Sequence, residues 1–470
     1  MEKANGRFKP LYMCVLIAFI GVSGCAKDTP YNSPKFSFRN NYVDVSRAVP
    51  VLLKNTEWWK GLKDPTLNAL IDKGMVGNLS LAAAKERIIE ARSNLQSVPP
   101  HGSITPSASV QRRNELNSSP ETRSNASLGF SWMLDPFGER RNLIRAAGGR
   151  LDVADAEVDA ARLLMIYNIA NAYVDLRYQQ RLLNLRQQQL KSRRQVFALT
   201  QRLFDHNSAT RLDVVRTQAL VAETQAQIPR VNAEVYNKKY ELAVLVGTTP
   251  GSLNAILGGH GHQPRPGMSP KVGIPADMLR NRPDIRIAER LYYISIAEID
   301  VSRAALYPRL SLGGSIGLAS VGGTSGTEYF FGPSIQLPAF PNSSSKAVIS
   351  AAHSRARQAN LAWKEVVLSS LLEVESALKR YAADGEAVQT SARASRLYRE
   401  AEGLTRDLVK KDGATVRDLI DAEEKIAVSD VTLAENRRQL ARSYIALNVS
   451  LGSGHAESLK PLDDDTVVSK

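Results

Sequence analysis

Two histidines separated by one residue, His260 and His262, have the spacing in this sequence that comes nearest to a metal site. They lie in a glycine- and proline-rich stretch, residues 258–264, which is more typical of a flexible linker. The chain has six histidines but no His-Glu-x-x-His pair, no phosphate-binding loop and no candidate cysteine nucleophile. The sequence therefore predicts that the protein is not an enzyme and has no catalytic, metal-binding or cofactor-binding residues.

Cys25 is a candidate for covalent modification. It follows a basic segment (3–9), an apolar run (11–22) and the small residues Ser23-Gly24, which is the order of a secretory signal peptide. The apolar run is about half as long as the ~20 residues that a membrane-spanning helix requires. Because Val22-Ser23-Gly24-Cys25 resembles the lipobox of bacterial lipoproteins, we expect cleavage after residue 24 and acylation of Cys25. The alternative is an ordinary signal peptide with a chance cysteine.

A pair of carboxylates, Asp418 and Asp421, follows a short turn at residues 411–415. Residues three apart lie on one face of a helix, one turn from each other. Such a pair is usually a solvated acidic face or a partner of the helix dipole. The corresponding turn in the first half, 205–210, is followed by Asp213 and Arg216, so the two halves differ here.

Long helices must position these turns. Apolar residues recur every seven positions, and prolines are missing between Pro136 and Pro229 and between Pro341 and Pro461. A sustained heptad pattern indicates helix-on-helix packing, and a helix over 139–204 would be about 100 Å long. The remaining helix faces are polar, as expected of a thin wall wetted on both sides. The heptad positions are Ile169, Leu176, Leu183, Leu190, Phe197 and Phe204, and then Val367, Val374, Tyr381 and Val388.

Four short segments alternate in polarity with the period of a β-strand. Two lie over about 104–135 around a polar loop at 114–123, and two over about 309–340 around a glycine-rich loop at 320–327. Leu128 and Phe130, for example, alternate with serine and glycine. Transmembrane strands need about 9 to 11 residues with this pattern, but closed membrane sheets begin at about eight strands. The segments therefore predict either a soluble sheet with one wet face or a membrane sheet shared among several chains.

The order of elements is repeated along the chain, which predicts an internal duplication. We expect a signal peptide at 1–24 and a lipidated N-terminal segment at 25–76. The first repeat covers 77–247, with a long helix at about 139–204 and a second at 210–246. An equatorial connection covers 248–282, and the second repeat covers 283–452, with helices at about 342–411 and 415–451. Residues 453–470 form a C-terminal tail.

With these features in place, the chain resembles the TolC-like outer-membrane channel family, in its lipoprotein branch that serves efflux pumps. The resemblance rests on residues 274–279, Arg282-Pro283-Asp284, 304–312 and 132–138. It implies an α+β membrane protein: a homotrimer whose chains give four strands each to a twelve-stranded β-barrel that continues into a long α-helical periplasmic barrel. Arg282-Pro283-Asp284 is expected to define the fold, since proline suits the first turn of a helix.

The resemblance also implies roles for the two turns. Asp418 and Asp421 match the family's Asp-x-x-Asp pair, whose carboxylates form acidic rings at the closed periplasmic tip. The turns at Asn207-Ser208 and Gly413-Ala414 match positions that receive the adaptor's helical hairpins. Gly413 can adopt the left-handed conformation that ends a helix. In this chain the turn is one residue shorter than in the family. The residue that holds the tip closed is left undecided between Lys410 and Arg417.

The partners implied by the resemblance are a periplasmic adaptor, an inner-membrane transporter of the resistance-nodulation-division type, and outer-membrane lipids. The net charge of +14 is dispersed along helices, so no nucleic acid is expected. The resulting hypothesis is an outer-membrane exit duct for drugs, other small molecules or ions, anchored by lipid and extending into the periplasm. The alternatives are the duct of a type I protein secretion system and a lipid-anchored periplasmic coiled-coil scaffold without a pore.

Overall fold

The computed structural model describes residues 28–37, 57–114, 121–258, 261–266, 281–411 and 413–453. The expected signal peptide at 1–24, Cys25, His260, the motif at 274–279 and the tail after Ser453 lie outside the described residues.

Two copies of one structural unit follow each other along the chain. The first contains helix α2 (Leu79–Gln96), strands β1 (Gly102–Arg113) and β2 (Glu121–Leu134), and helices α3 (Glu139–Asp205) and α4 (Arg211–Leu245). The second contains α6 (Pro283–Ala304), β3 (Arg309–Val321), β4 (Thr324–Gln336), α7 (Ser343–Lys410) and α8 (Val416–Ser450). A 3-10 turn (Trp58–Leu62) and α1 (Pro65–Gly77) precede the first unit, and α5 (Asn254–Leu257) lies between the two. The predicted α+β class and internal duplication are confirmed.

The long helices dominate the molecule. Helix α3 has 67 residues and α7 has 68, so each is about 100 Å long. Each packs against the 35-residue helix that follows it, giving hairpin one (α3 and α4) and hairpin two (α7 and α8). The heptad residues Ile169, Leu176, Val367 and Val374 are fully buried, as the helix-packing pattern predicted. None of the helices in the described ranges has both the length and the hydropathy of a bilayer-spanning segment.

The largest apolar core surrounds the middle of α3. Side chains of the N-terminal segment and of the connection between the repeats cover this part of the helix. Tyr173 donates a hydrogen bond to Asp64 (2.6 Å), which also caps α1. Large side chains that are fully buried in this core include those of Trp58, Leu62, Leu67, Leu70, Ile71, Ile166, Ile169, Tyr173, Leu176, Leu242 and Leu257.

Arg282 joins the start of α6 to hairpin two. Its guanidinium donates to Asp284 at 2.7 Å, to Glu373 of α7 at 2.8 Å and to the carbonyl oxygen of Ser450 at 2.7 Å. Pro283 is the first residue of α6, where its missing N–H leaves no hydrogen bond unmade. These contacts give Arg282-Pro283-Asp284 the structural role expected from the sequence.

The four strands form one antiparallel sheet in the order β1-β2-β3-β4. Leu128 is paired with Ile316, and Phe130 is paired with both Ile104 and Gly314. Since directly paired residues share a face, this register sorts the side chains into two sets. The apolar face carries Ile104, Val110, Leu128, Phe130, Trp132, Leu310, Leu312, Ile316, Leu318, Tyr329, Phe331 and Ile335. The polar face carries Ser103, Thr105, Ser107, Ser109, Ser127, Gly129, Ser131, Ser311, Gly313, Ser315, Gly317, Glu328, Gly332 and Ser334, with Met133 and Phe330 among them.

Gly314 is required on the apolar face. The rings of Phe130 and Phe331 stack with their centroids 5.5 Å apart, and Gly314 is paired with Phe331 on one side and Phe130 on the other. A Cβ atom at this position would lie 2.5 Å from the Phe130 ring. A larger residue would therefore force the aromatic rings apart.

The connections between paired strands are shorter than predicted. The loop expected at 320–327 is a turn at Gly322-Gly323, because β3 continues to Val321 and β4 begins at Thr324. Both glycines have positive φ, +58° and +91°, which suits a tight two-residue hairpin turn. The first loop is also shortened, since β2 begins at Glu121. Glycine-rich composition identified the turn but not its length.

Candidate gate at the helix tips

The turns of the two hairpins share one backbone hydrogen bond. The backbone N–H of Ser208 donates to the carbonyl oxygen of Leu203 (2.7 Å), and that of Gly413 donates to Leu408 (2.9 Å). This is the long hydrogen bond of a Schellman helix end, in which the left-handed residue comes one position before the donor. Asn207 has that conformation, with φ +63°. Gly413 occupies the donor position of its own turn, as Ser208 does in the first.

Each turn passes into the next helix through a capping box. Thr415 donates to Asp418 Oδ2 from its hydroxyl (2.6 Å) and its backbone N–H (2.9 Å), and the Asp418 N–H returns a bond to the hydroxyl (3.2 Å). Thr210 and Asp213 have the same arrangement, at 2.6, 3.0 and 3.2 Å. Asp418 therefore stabilises the start of α8 as Asp213 stabilises the start of α4.

These bonds also act on the acidity of the two aspartates. The hydrogen bond from the Thr415 side chain lowers the pKa of Asp418 below its usual range, because it stabilises the carboxylate form. The Thr210 side chain lowers the pKa of Asp213 in the same way. Both carboxylates are therefore ionised at neutral pH.

The two tips differ one turn further along each helix. Asp421 is exposed in α8, one turn after Asp418, whereas the corresponding residue of α4 is the exposed Arg216. Hairpin two thus presents two aspartates near its tip, and hairpin one presents an aspartate and an arginine.

The residues expected to contact an adaptor have different environments. Asn207, Ser208 and Gly413 are exposed at the turns. Ala414 is half-buried against an apolar cluster that links the hairpins near their tips, formed by Val196 of α3, Val409 of α7 and Leu419 of α8. Three of the four predicted contact residues are therefore accessible, and Ala414 also contributes to the packing of the tip.

Lys410 and Arg417 were the two cations considered for the closing network. In the described contacts, neither forms an ion pair with another helix. Lys410 forms an ion pair within its own helix, to Asp407 at 3.1 Å, and both side chains are exposed. Arg417 is exposed in the first turn of α8.

A polar cluster that sequence reasoning missed does cross between the hairpins. Arg406 of α7 donates to Glu402 (2.6 Å), to Glu423 of α8 (2.9 Å) and to the hydroxyl of Ser192 in α3 (3.0 Å). Ser192 also donates to Glu423. The sequence indicates only that charged residues occur at helix positions that face another helix. No spacing rule connects residues that are so far apart in the chain.

The histidine pattern does not develop into a metal site in the described structure. His262 is exposed. In the ranges that the structure covers, no three or more histidine, cysteine, aspartate or glutamate side chains are grouped so as to hold a metal ion.

The structure combines a four-stranded sheet that has one apolar and one polar face with two helical hairpins about 100 Å long. This architecture defines the class of outer-membrane channels of efflux systems. The family model described as outer membrane efflux protein matches residues 70–248 and 274–453. The chain belongs to this family, the TolC-like family that its sequence resembles.

Similar proteins extend over nearly the whole chain. Nodulation protein T of Rhizobium leguminosarum bv. trifolii is 34% identical over 450 residues, which cover 92% of this chain and 95% of that protein. The structure of the outer-membrane channel OprN matches with a TM-score of 0.83 at 27% identity, covering 92% of this chain and 99% of that one. The open state of the Neisseria gonorrhoeae MtrE outer membrane channel matches with a TM-score of 0.78 at 25% identity, covering 92% and 98%. The two solved neighbours are channels and not enzymes.

Proposed function

We propose that this chain forms the exit duct of a tripartite efflux pump, through which small molecules or ions pass from the periplasmic components to the cell exterior. The observation that carries the proposal is the four-stranded sheet with one apolar and one polar face at the end of two long hairpins. The apolar face suits contact with outer-membrane lipids, and the serine- and glycine-rich face suits a water-filled interior. The polar outer faces of the hairpins suit an aqueous compartment such as the periplasm.

The edges of the sheet support a homotrimer. Strands β1 and β4 are its edge strands and have 12 and 13 residues. An unpaired backbone N–H or C=O group in lipid costs several kcal/mol, so these edges require partners. Pairing β4 of one copy with β1 of the next satisfies both edges, and three copies then give a closed sheet of twelve strands.

The position of the first described residues supports lipidation at Cys25. Asp28 accepts hydrogen bonds from Arg141 (2.8 Å) and Asn142 (3.0 Å), at the start of α3 directly after the strands. Cys25 precedes Asp28 by three residues, a reach of about 10 Å. An acyl chain on Cys25 would therefore meet the membrane at the level where the sheet ends.

Acyl labelling tests this assignment. Cys25→Ser is expected to abolish incorporation of labelled palmitate, whereas the matched change Cys14→Ser within the signal peptide leaves it intact. Retained labelling in Cys25→Ser would contradict lipidation at this residue. Channel activity need not change, because the sheet also anchors the trimer.

At the opposite end, we assign the gate to Asp418 and Asp421 and the adaptor contact to Asn207, Ser208, Gly413 and Ala414. Three copies of hairpin two would bring six carboxylates toward one axis, where they favour cations and repel one another. The exposed turns offer small or polar residues that allow another helix to approach closely. The proposed partners are a periplasmic adaptor and, through it, an inner-membrane transporter of the resistance-nodulation-division type.

Conductance of the purified trimer in planar lipid bilayers tests the duct. We expect discrete channels in the wild type and larger conductance when Asp418 and Asp421 are both changed to alanine. If neither protein conducts, the duct is wrong and a periplasmic scaffold without a pore becomes the better assignment. If a secreted protein and not a small molecule accumulates in the deletion strain, the duct belongs to a protein secretion system.

A further inference from the structure

The connection between the two repeats is bound to two long helices near the middle of their length. Gln180 of α3 donates a hydrogen bond to the carbonyl oxygen of Leu257 at 2.9 Å. Further along the connection, Gln263 is buried and donates to the carbonyl oxygen of Ala434 in α8 at 2.7 Å. The connection is therefore fixed to both hairpins, where α3 and α8 meet.

The same level carries a direct contact between α3 and α8. Tyr178 of α3 and Ala434 of α8 belong to one buried cluster, and the guanidinium of Arg438 lies 4.6 Å from the centre of the Tyr178 ring. Residues three or four apart share one face of a helix. Arg181 therefore lies one turn from Tyr178 on the face of α3 that meets α8, and Arg437 lies one turn from Ala434.

Three guanidiniums from three segments of the chain come together at this place. Arg265 follows Gln263 by two residues in the connection, while Arg181 and Arg437 approach from α3 and α8. Burial lowers the pKa of Arg437, and the positive charges of Arg265 and Arg181 lower it further. Like charges that are held together without a counter-charge destabilise one another, so this arginine cluster (Arg181, Arg265 and Arg437) opposes the docking of the connection.

The carboxylates around the arginine cluster are paired with other cations. Asp430 is bound by Arg399 of α7 at 2.8 Å, and Glu435 is bound by Arg438 at 2.9 Å. The attraction of Asp430 for Arg437 is smaller than the repulsion from either of the other two arginines of the cluster. The charge of the cluster therefore remains largely uncompensated by these side chains.

None of the three arginines has an acidic partner in the part of the chain that the structure describes. Arg181 donates a hydrogen bond of 3.3 Å to the amide oxygen of Asn184 in its own helix. A guanidinium has five N–H donors in a planar fork, which match the oxygens of phosphate, sulfate or carboxylate. The three groups together therefore offer donors and positive charge that suit one multivalent oxyanion.

The position of the arginine cluster limits the size of such an anion. Helix α4 packs on α3 and α7 packs on α8, so the contact between α3 and α8 lies in the middle of the four helices and away from the edges that a neighbouring copy would meet. Arg181 and Arg437 are half-buried, and only Arg265 is exposed. A ligand that touches all three guanidiniums must therefore be small enough to enter beside the connection.

We propose that the arginine cluster binds a small multivalent oxyanion of the phosphate or sulfate class, which holds the connection against α3 and α8. The anion replaces the repulsion among the three guanidiniums by charge-assisted hydrogen bonds to each of them. The site joins the two repeats near the middle of the hairpins, and it does not depend on the assignment of the tips as a gate.

Calorimetric titration of the purified trimer with inorganic phosphate, in chloride buffer of constant ionic strength, tests the binding. The wild type should bind phosphate, and Arg437→Gln should weaken the affinity by about tenfold, because it removes a half-buried member of the cluster. Arg87→Gln removes an exposed arginine beside Glu157 and is the matched control, which should leave the affinity unchanged. No binding by the wild type, or equal affinity in the wild type and Arg437→Gln, would overturn the proposal.

The midpoint of thermal unfolding gives a second readout, whose sign differs between two buffers. In chloride at low ionic strength, Arg265→Gln should raise the midpoint, because it removes repulsion from the cluster. In phosphate, the same variant should unfold below the wild type, because it binds the anion less tightly. Since Arg265 is exposed, this variant tests the site even if Arg437→Gln does not assemble.

Two outcomes of the unfolding experiment would reject the anion site. A midpoint that Arg265→Gln lowers equally in both buffers would show that Arg265 pairs with a group of the protein, such as a carboxylate of a neighbouring copy. A phosphate-dependent rise of the same size in Arg265→Gln and in the wild type would show a general effect of the salt on the protein surface.

Discussion

Asp421 occupies the position in α8 that Arg216 occupies in α4, six residues after the capping threonine of each helix. The capping aspartates Asp418 and Asp213 are equivalent in geometry, so the charge difference between the tips resides in this second position. A gate with three-fold symmetry can arise in a duplicated chain through this single difference.

The first prediction separates Asp421 of the proposed gate from an aspartate that only caps a helix. Asp421→Ala should weaken the block of the channel by divalent cations, because it removes carboxylate charge without disturbing the helix cap. Asp213→Ala removes the equivalent cap in the other hairpin, so it should destabilise its helix and leave the cation block unchanged. Conductance at increasing calcium concentration measures the cation block in each variant. Identical block in the wild type and Asp421→Ala would remove Asp421 from the gate.

The second prediction concerns pH. Burial raises the pKa of Glu423, partly offset by the hydrogen bond from Ser192 and the charge of Arg406, whereas the bonds from Thr415 lower the pKa of Asp418. As the pH falls, Glu423 is therefore neutralised before Asp418, and its ion pair with Arg406 is lost. Although this ion pair is lost, lowering the pH should stabilise the folded state at this site, because the buried carboxyl binds its proton more tightly than the exposed carboxyl of the unfolded chain.

The free energy of unfolding should therefore depend on pH through Glu423. A carboxyl whose pKa is raised in the folded protein contributes stability that is fully present below the unfolded pKa and is lost as the pH rises through the folded pKa. Glu423→Gln should lack this part of the pH dependence. Asp430→Asn, which removes the carboxylate that Ser395 and Arg399 bind within hairpin two, should retain it. Urea unfolding at several pH values measures the difference, and an unaltered pH dependence in Glu423→Gln would assign it to another group.

The third prediction uses two adjacent aromatic residues on opposite faces of the sheet. Phe331 lies on the apolar face and Phe330 on the polar face, and both are more than half exposed in the single chain. A lysine on a lipid-facing site costs about 2 to 4 kcal/mol near the centre of the membrane. Phe331→Lys should therefore reduce membrane insertion strongly, while Phe330→Lys is tolerated. Fractionation and heat-resistant trimer content measure the difference, and equal loss in both variants would contradict the assignment of the faces.

The fourth prediction concerns Arg282. Its side chain is 9% exposed, and its removal would leave Glu373 and the Ser450 carbonyl oxygen without their partner. Arg282→Met should lower the free energy of unfolding by about 2 to 4 kcal/mol. Arg87, whose side chain is 57% exposed beside Glu157, is the control, and Arg87→Met should change it by less than about 1 kcal/mol. Tryptophan fluorescence in urea measures both, and equal midpoints would refute a structural role for Arg282.

The periodic elements could be predicted from the sequence because their physical causes are local. The heptad positions Ile169 and Val367 are buried where the pattern places them, and the alternation around Leu128 and Phe130 defines the apolar face. The cap at Asp418 was also readable, since Thr415 precedes it by the three residues of a capping box. The pattern alone could not separate this structural role from a role in the gate.

Contacts between distant residues could not be predicted in this way. Ser192 and Glu423 are 231 residues apart, and nothing in the local sequence distinguishes Glu423 from the adjacent Glu424 as the buried partner. Composition alone also did not show that Gly413 donates the hydrogen bond that closes its turn, as Ser208 does in the first hairpin. The length of the turn at Gly322-Gly323 depends in the same way on how far the flanking strands remain paired.

The N-terminal residues form hydrogen bonds to both repeats and so connect them. Asp28 binds Arg141 in the first repeat, while the hydroxyl of Thr29 donates to Asp300 in the second repeat at 2.6 Å, across 271 residues. Contacts of such sequence separation form late in folding, after the loop between them has closed. Residues 28 and 29 must therefore wait until both repeats are in place before they dock. The docking of this segment is thus one of the last steps of folding, although it belongs to the N-terminal side of both repeats.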